Sequence, residues 1–174
     1  VVGNSGEYSI YQQILSNPYI CTSHVTDMSY LYFMGNSMLQ NVSQFDTHNV
    51  QNMAYMFARF NMHDGDPRMF PRYTFFNNWD VSQVSDMSGM FMSSAFHPTP
   101  GDRDPTTVTS HTNGYIKSWN TSKVINMSYM FADTPLMAED IHQWDVGNVV
   151  AHNEFATNSR MKDYMYPNFP LVNK

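Results

Sequence analysis

The chain has 174 residues, 42% hydrophobic and 15% aromatic, which suits one domain with its own core and is too apolar for a disordered segment. Charged residues are only 14%, and nine Lys and Arg against fifteen Asp and Glu leave a net charge of −6, so there is no basic patch for nucleic acid or for anionic lipid. No apolar run reaches the roughly 18 residues of a spanning helix, so membrane insertion is not expected in this segment.

In chain order, residues 1–19 are expected to form an N-terminal cap, because EYSIYQQIL at 7–15 reads as an amphipathic helix. Five aligned segments follow: ICTSHVTDMSYLY (20–32), FDTHNVQNMAYMF (45–57), WDVSQVSDMSGMF (79–91), WNTSKVINMSYMF (119–131) and WDVGNVVAHNEFA (144–156). Their first residues, 20, 45, 79, 119 and 144, are separated by 25, 34, 40 and 25, a 25-residue unit with insertions of 9 and 15. The array spans 20–156, the insertions fall near 61–72 and 97–114, and 157–174 reads as a C-terminal cap or arm.

Each unit is expected to hold a short strand and then a short helix. Apolar pairs and triplets such as Val42/Phe45, Phe76/Trp79/Val81, Ile116/Trp119 and Ile141/Trp144/Val146 follow the L-x-x-L-x-L strand pattern, which places strands at 43–47, 77–81, 117–121 and 142–146. Thr47 and Thr121 replace the second apolar residue, as a β-branched side chain can. Val84, Met87, Met90 and Phe91 then lie at i, i+3, i+6 and i+7, a helical spacing, with Asp27, Asn52, Asp86 and Asn126 placed as helix N-caps. The predicted fold class is therefore α/β, a leucine-rich-repeat-like solenoid of short parallel strands alternating with short helices, about five 25-residue repeats with two insertions. Seven of the 15 methionines receive a packing role: Met28, Met53, Met87 and Met127 form one inner ladder, and Leu31, Met56, Met90 and Met130 another, with a Met-lined metal or peptide groove as the alternative. Trp79, Trp119, Trp144 and Phe45 are read as core, with a sugar-stacking platform as the alternative.

WDVSQVSDMSGMF, FDTHNVQNMAYMF and WNTSKVINMSYMF closely resemble the repeat of the DUF285 family, which defines the BspA-like leucine-rich repeat surface proteins. The resemblance covers about residues 20–156. It implies a secreted or cell-surface protein linked to adhesion, with a virion or capsid location as the alternative. It carries over no catalytic residues.

No nucleophile elbow, zinc-protease, P-loop or dinucleotide motif occurs, and no enzyme activity, cofactor or metal is expected. Cys21, the single cysteine, reads as a small buried residue of the first unit, with an intermolecular disulfide as the alternative. The seven histidines are expected on the surface or in loops. Asp46, Asp80, Asn120 and Asp145 are expected to point outward. Local capping of the next bend is weighed there against a calcium-binding edge or paired carboxylates. The insertions hold the candidate contact residues: Asp64, Asp66, Arg68, Met69, Phe70 and Arg72 in the first, Asp102, Arg103 and Asp104 in the second. Their readings are decorative loops, a partner or subunit contact, or a metal held by the paired aspartates. Asn41 and Asn120 are possible glycosylation sites. The expected partner is a protein or glycan at a surface, or copies of the chain itself. A subunit of a filament or capsid is the alternative function, and an enzyme the remote one.

Overall fold

The computed structural model describes residues 20–35, 42–60, 76, 78–94, 116–134 and 140–171. Five tiers of chain, anchored on Ile20, Phe45, Trp79, Trp119 and Trp144, stack so that equivalent positions lie beside one another. The tiers touch through single parallel bridges: Asp27 with Asn52, Asn52 with Asp86, Asp86 with Asn126, and Asn126 with Ala151.

The expected α/β class and its strand-and-helix unit do not hold. Among the described residues there is no β-strand and no α-helix; the only helical elements are two 3-10 turns, Val42–Gln44 and Asp163–Met165. The segments expected to be strands close on themselves in turns. Phe45 N–H donates to the Val42 carbonyl, Trp79 to Phe76, Trp119 to Ile116 and Trp144 to Ile141, each at 3.0–3.1 Å. The parallel contacts fall instead at the positions expected to cap helices.

The segment expected to be helical alternates two hydrogen-bond schemes. In tier 2, Met53, Tyr55, Phe57 and Arg59 donate to the carbonyls of Asp86, Ser88, Met90 and Met92 one tier on. The residues between them bond within the tier: Met56 to Met53, Ala58 to Tyr55 and Phe60 to Phe57. The same four donations recur at all four junctions, at 2.7–3.0 Å. A helix is excluded because every fourth residue here has a left-handed backbone: Tyr30 and Met34, Tyr55 and Arg59, Gly89 and Ser93, Tyr129 and Asp133, Glu154 and Asn158. A left-handed residue ends a right-handed helix at once. The resulting period of four turns two residues in and two out, so inward residues recur at i, i+3, i+4 and i+7, which is also the spacing of an amphipathic helix.

The threonines also do more than fill strand positions. Thr22, Thr47 and Thr121 are buried, and their hydroxyls donate to the carbonyls of Asp46, Asp80 and Asp145 in the next tier at 2.8–3.0 Å. Thr22 and Thr47 also accept the Asp46 and Asp80 N–H groups at 2.8 and 2.9 Å.

The core follows the inward positions, and the expected methionine and tryptophan burial is found there. Met53, Met56, Met87, Met90, Met127 and Met130 are fully buried. Tyr32, Phe57, Phe91 and Phe131 stack nearly parallel at 5.5–5.7 Å, and Trp79, Trp119 and Trp144 form a second stack at 6.1–6.4 Å. Beyond the last tier, Met161 is buried, and Tyr166 and Phe169 set their rings against Phe155 at 5.9 and 4.9 Å. Residues 1–19 lie outside the described residues.

Two stability predictions follow from this packing. Met90→Ala should lower the unfolding free energy by ~2–5 kcal/mol in a urea melt; a loss under about 0.5 kcal/mol, the level of a surface substitution, would contradict the packing. Thr47→Val keeps shape and β-branching, and valine already occupies this position at Val81 and Val146. It strips the Asp80 backbone of both partners and should cost about 1–3 kcal/mol. Thr47→Ser, which retains the hydroxyl, should cost less than Thr47→Val in the same melt.

Candidate interaction face

The left-handed residues decide which side chains leave the stack. Asp27, Asn52, Asp86 and Asn126 each accept the N–H two residues on, that of Ser29, Ala54, Ser88 and Ser128, at 2.7–3.1 Å. These side-chain turns set up the next residue, Tyr30, Tyr55, Gly89 or Tyr129, with φ of 55–60°. Three tyrosines thus stand in one row outside the core. Tyr30 is 45% exposed, Tyr129 36%, and Tyr55 half-buried.

Tyr30 and Tyr55 stack at 5.0 Å and 15°, and Phe33 meets Tyr30 edge-on at 5.4 Å. The Tyr55 ring lies over Gly89, where an added Cβ would sit 2.3 Å from a ring carbon. Burial first, and then the neighbouring Tyr30, Asp86 and Tyr129, raise the Tyr55 phenol above its usual pKa. Exposed Ile125 and Val150, one residue before the bridge positions Asn126 and Ala151, extend the apolar character of this side into the last two tiers.

A second outward row holds Cys21, Asp46, Asp80, Asn120 and Asp145, all exposed. Cys21 is therefore not the buried residue expected; its thiol lies 3.2 Å from the Ser23 hydroxyl, which lowers its pKa. Asp46, Asp80, Asn120 and Asp145 accept the N–H of His48, Ser82, Ser122 and Gly147 at 2.9–3.3 Å, the local capping weighed from the sequence. The Asn120 carbonyl oxygen also takes the Ser122 hydroxyl at 2.7 Å. His48 and His142 each set Nδ1 against an aspartate two residues back, Asp46 at 2.5 Å and Asp140 at 2.6 Å. Those contacts hold the Asp46 and Asp140 carboxyls below their usual pKa, and the Ser82 bond does the same for Asp80. Among the described residues, no group of three or more His, Cys, Asp or Glu side chains is arranged to hold a metal ion. No helix among them is long and apolar enough to cross a membrane.

Asp64, Asp66, Arg68, Met69, Phe70, Arg72, Asp102, Arg103, Asp104 and Asn41 all lie outside the described residues. The tyrosine row escaped the reading of the sequence, although its signal was there: Tyr30, Tyr55 and Tyr129 stand two places after Met28, Met53 and Met127.

No curated protein and no solved structure matched the chain. One family model did, over residues 14–101 and 106–164, and its description is "Mycoplasma protein of unknown function, DUF285". The chain belongs to the DUF285 family.

Proposed function

We propose that this chain is a non-enzymatic binding module of the BspA-like surface-protein type, which docks another protein or a glycan at an extracellular or cell surface. The observation that carries this reading is the outward row of Tyr30, Tyr55 and Tyr129. Tyrosine offers a large, rigid contact area with a polar tip, and recognition surfaces are enriched in it. Each of these residues also holds a left-handed backbone that costs a non-glycine residue about 1–2 kcal/mol, so the rings are presented on a fixed scaffold and lose little freedom on binding.

The absence of chemistry in the proposal is supported by Asp27, Asp46, Asp80, Asp86, Asp140, Asp145, His48 and His142, whose side chains are engaged in local turns. The insertions at 61–72 and 97–114 leave the array after tiers 2 and 3, and they are proposed as a second part of the same contact. A head-to-tail filament is the weaker reading, because Met161, Tyr166 and Phe169 occupy the end of the last tier.

The test is a binding screen against arrayed matrix proteins and oligosaccharides. It compares the parent chain with the triple variant Tyr30→Ser, Tyr55→Ser, Tyr129→Ser, and checks both for folding by near-UV circular dichroism. The variant should fold and lose the ligands that the parent binds. A folded variant with an unchanged binding pattern would remove the tyrosine face from the proposal.

A further inference from the structure

The side of tier 5 that faces away from tier 4 carries an unfinished ladder. By the rule of the other four tiers, His152, Glu154, Ala156 and Asn158 should donate their N–H groups forward, yet among the described residues none of these groups has an acceptor. The backbone is nonetheless set for donation. Glu154 and Asn158 hold φ of 49° and 58°, and the intervening turns close from Phe155 to His152, Thr157 to Glu154 and Ser159 to Ala156. Tier 1 carries the complement. The carbonyls of Asp27, Ser29, Leu31 and Phe33 stand where the later tiers accept, and among the described residues none of them is paired. Unpaired rows of this kind are templates for another chain.

Part of the place that a sixth tier would fill is already taken. The Ile141 N–H donates to the Met165 carbonyl at 3.0 Å, and from 141 to 165 is the step of 24 that also separates Met127 from its acceptor Ala151. Tyr166 and Phe169 then stand 25 residues after Ile141 and Trp144, one repeat on. Phe169 stacks on the His152 ring at 4.4 Å and 9° and meets the Phe155 ring at 4.9 Å. The likeness to a tier stops there: Leu171, one repeat after Val146, is 96% exposed, and no described residue of the tail bonds to the four donors. The tail therefore lies in register over the core of tier 5 and leaves its ladder open.

The geometry of that ladder selects what can complete it. Turns that close from one residue to the third beyond it hold four residues within about 7 Å, whereas an extended strand covers roughly 10 Å. An extended peptide would fall out of step with the four donors. A chain with a left-handed residue at every fourth place stays in step, and tier 1, with Tyr30 and Met34 left-handed, is such a chain. We propose that the outer side of tier 5 is a docking surface for tier 1 of a second copy of this chain, and that the tail holds the anchor half of that surface and keeps the copies apart. The head-to-tail contact is thus built into the array and held off by Tyr166 and Phe169.

The experiment follows the mass of the full chain by light scattering over a range of concentrations. It compares the parent with the variant Tyr166→Ser, Phe169→Ser and with the milder Phe169→Ala, each checked for folding by near-UV circular dichroism. The parent should stay a monomer. The folded tail variants should at least double in average mass as concentration rises, because a contact between unlike ends does not close on itself. In that contact Cys21 of one copy continues the outward row beside Asp145 of the other, and parallel neighbours roughly 5 Å apart are within reach of a disulfide. Asp145→Cys, added to the tail variants, should give a ladder of disulfide-linked oligomers on mild oxidation; Val150→Cys, outside that row, should give no such ladder. Folded tail variants that remain monomers would overturn the proposal, and so would association that leaves Cys21 unlinked in the Asp145→Cys background. A parent that associates as readily as the tail variants would remove the tail from it.

Discussion

The structure depends on the way each tier divides its backbone hydrogen bonds. Every second N–H in the bridge segment reaches forward to the next tier, and the others close turns within their own. A chain cannot alternate in this manner with one backbone conformation, so a left-handed residue recurs at every fourth place. In the first four tiers each of these residues donates its N–H across the junction: Tyr30 to Ala54, Met34 to Ala58, Tyr55 to Ser88, Arg59 to Met92, and so on to Asp133 and Thr157. The conformational cost of roughly 1–2 kcal/mol per non-glycine residue is met where an inter-tier bond is made. The ladder and the strain belong to one device, and both the core and the exposed row follow from its period of four.

That device explains what was legible in the sequence. The register of the five segments was, because a fixed 25-residue spacing survives the insertions, and so was the burial of Met87, Met90 and Trp79, because inward positions must be apolar in any stacked array. The backbone was not legible, because i, i+3, i+4, i+7 is produced equally by an α-helix and by turns of period four. The discriminating feature is positive φ at Tyr, Met, Arg, Ser and Glu, residues whose identities give no notice of it. Gly89, Asp133 and Asn158 carry the usual signature. The aspartates and asparagines were legible as caps but not as to what they cap, since the same side-chain-to-backbone bond starts a turn or a helix. The threonine contacts were hidden by a similar ambiguity: at a buried position a β-branched residue reads as packing, and its hydroxyl bond to the next tier shows only once the tiers are placed. The insertions fall outside the described residues, so the candidate contact residues there rest on the sequence alone.

The core carries a polar constraint of its own. The Trp79 indole N–H donates to the Val42 carbonyl and that of Trp144 to Ile116, each at 2.9 Å. These bonds tie one tier to the residue three before the anchor of the tier preceding it. Trp119, between them, is equally buried and has no partner for its indole N–H among the described residues. Its counterpart acceptor would be the Phe76 carbonyl, and Phe76 instead turns its ring between Trp79 and Trp119, at 5.0 and 5.9 Å. Tier 3 thus exchanges a polar tie for aromatic contact.

Tier 3 is also one of the two tiers where the exposed row departs from its rule, the other being tier 5, where Glu154 takes the tyrosine position. A repeat in which every tier obeyed the pattern would present a continuous tyrosine ridge, each ring spaced by the ladder from the next. Gly89 breaks it, and the break cannot be filled by a small change, because the Tyr55 ring already lies where a β-carbon would be. Filling the gap would require Tyr55 to leave its stack on Tyr30 as well as placing a side chain on a left-handed residue. Gly89 and the Tyr55 ring position therefore determine each other. In a stacked array the regular positions answer for folding, since each must satisfy the same neighbours. The positions free to differ are those that face outward, and at Gly89 the departure also fixes where the neighbouring Tyr55 ring lies.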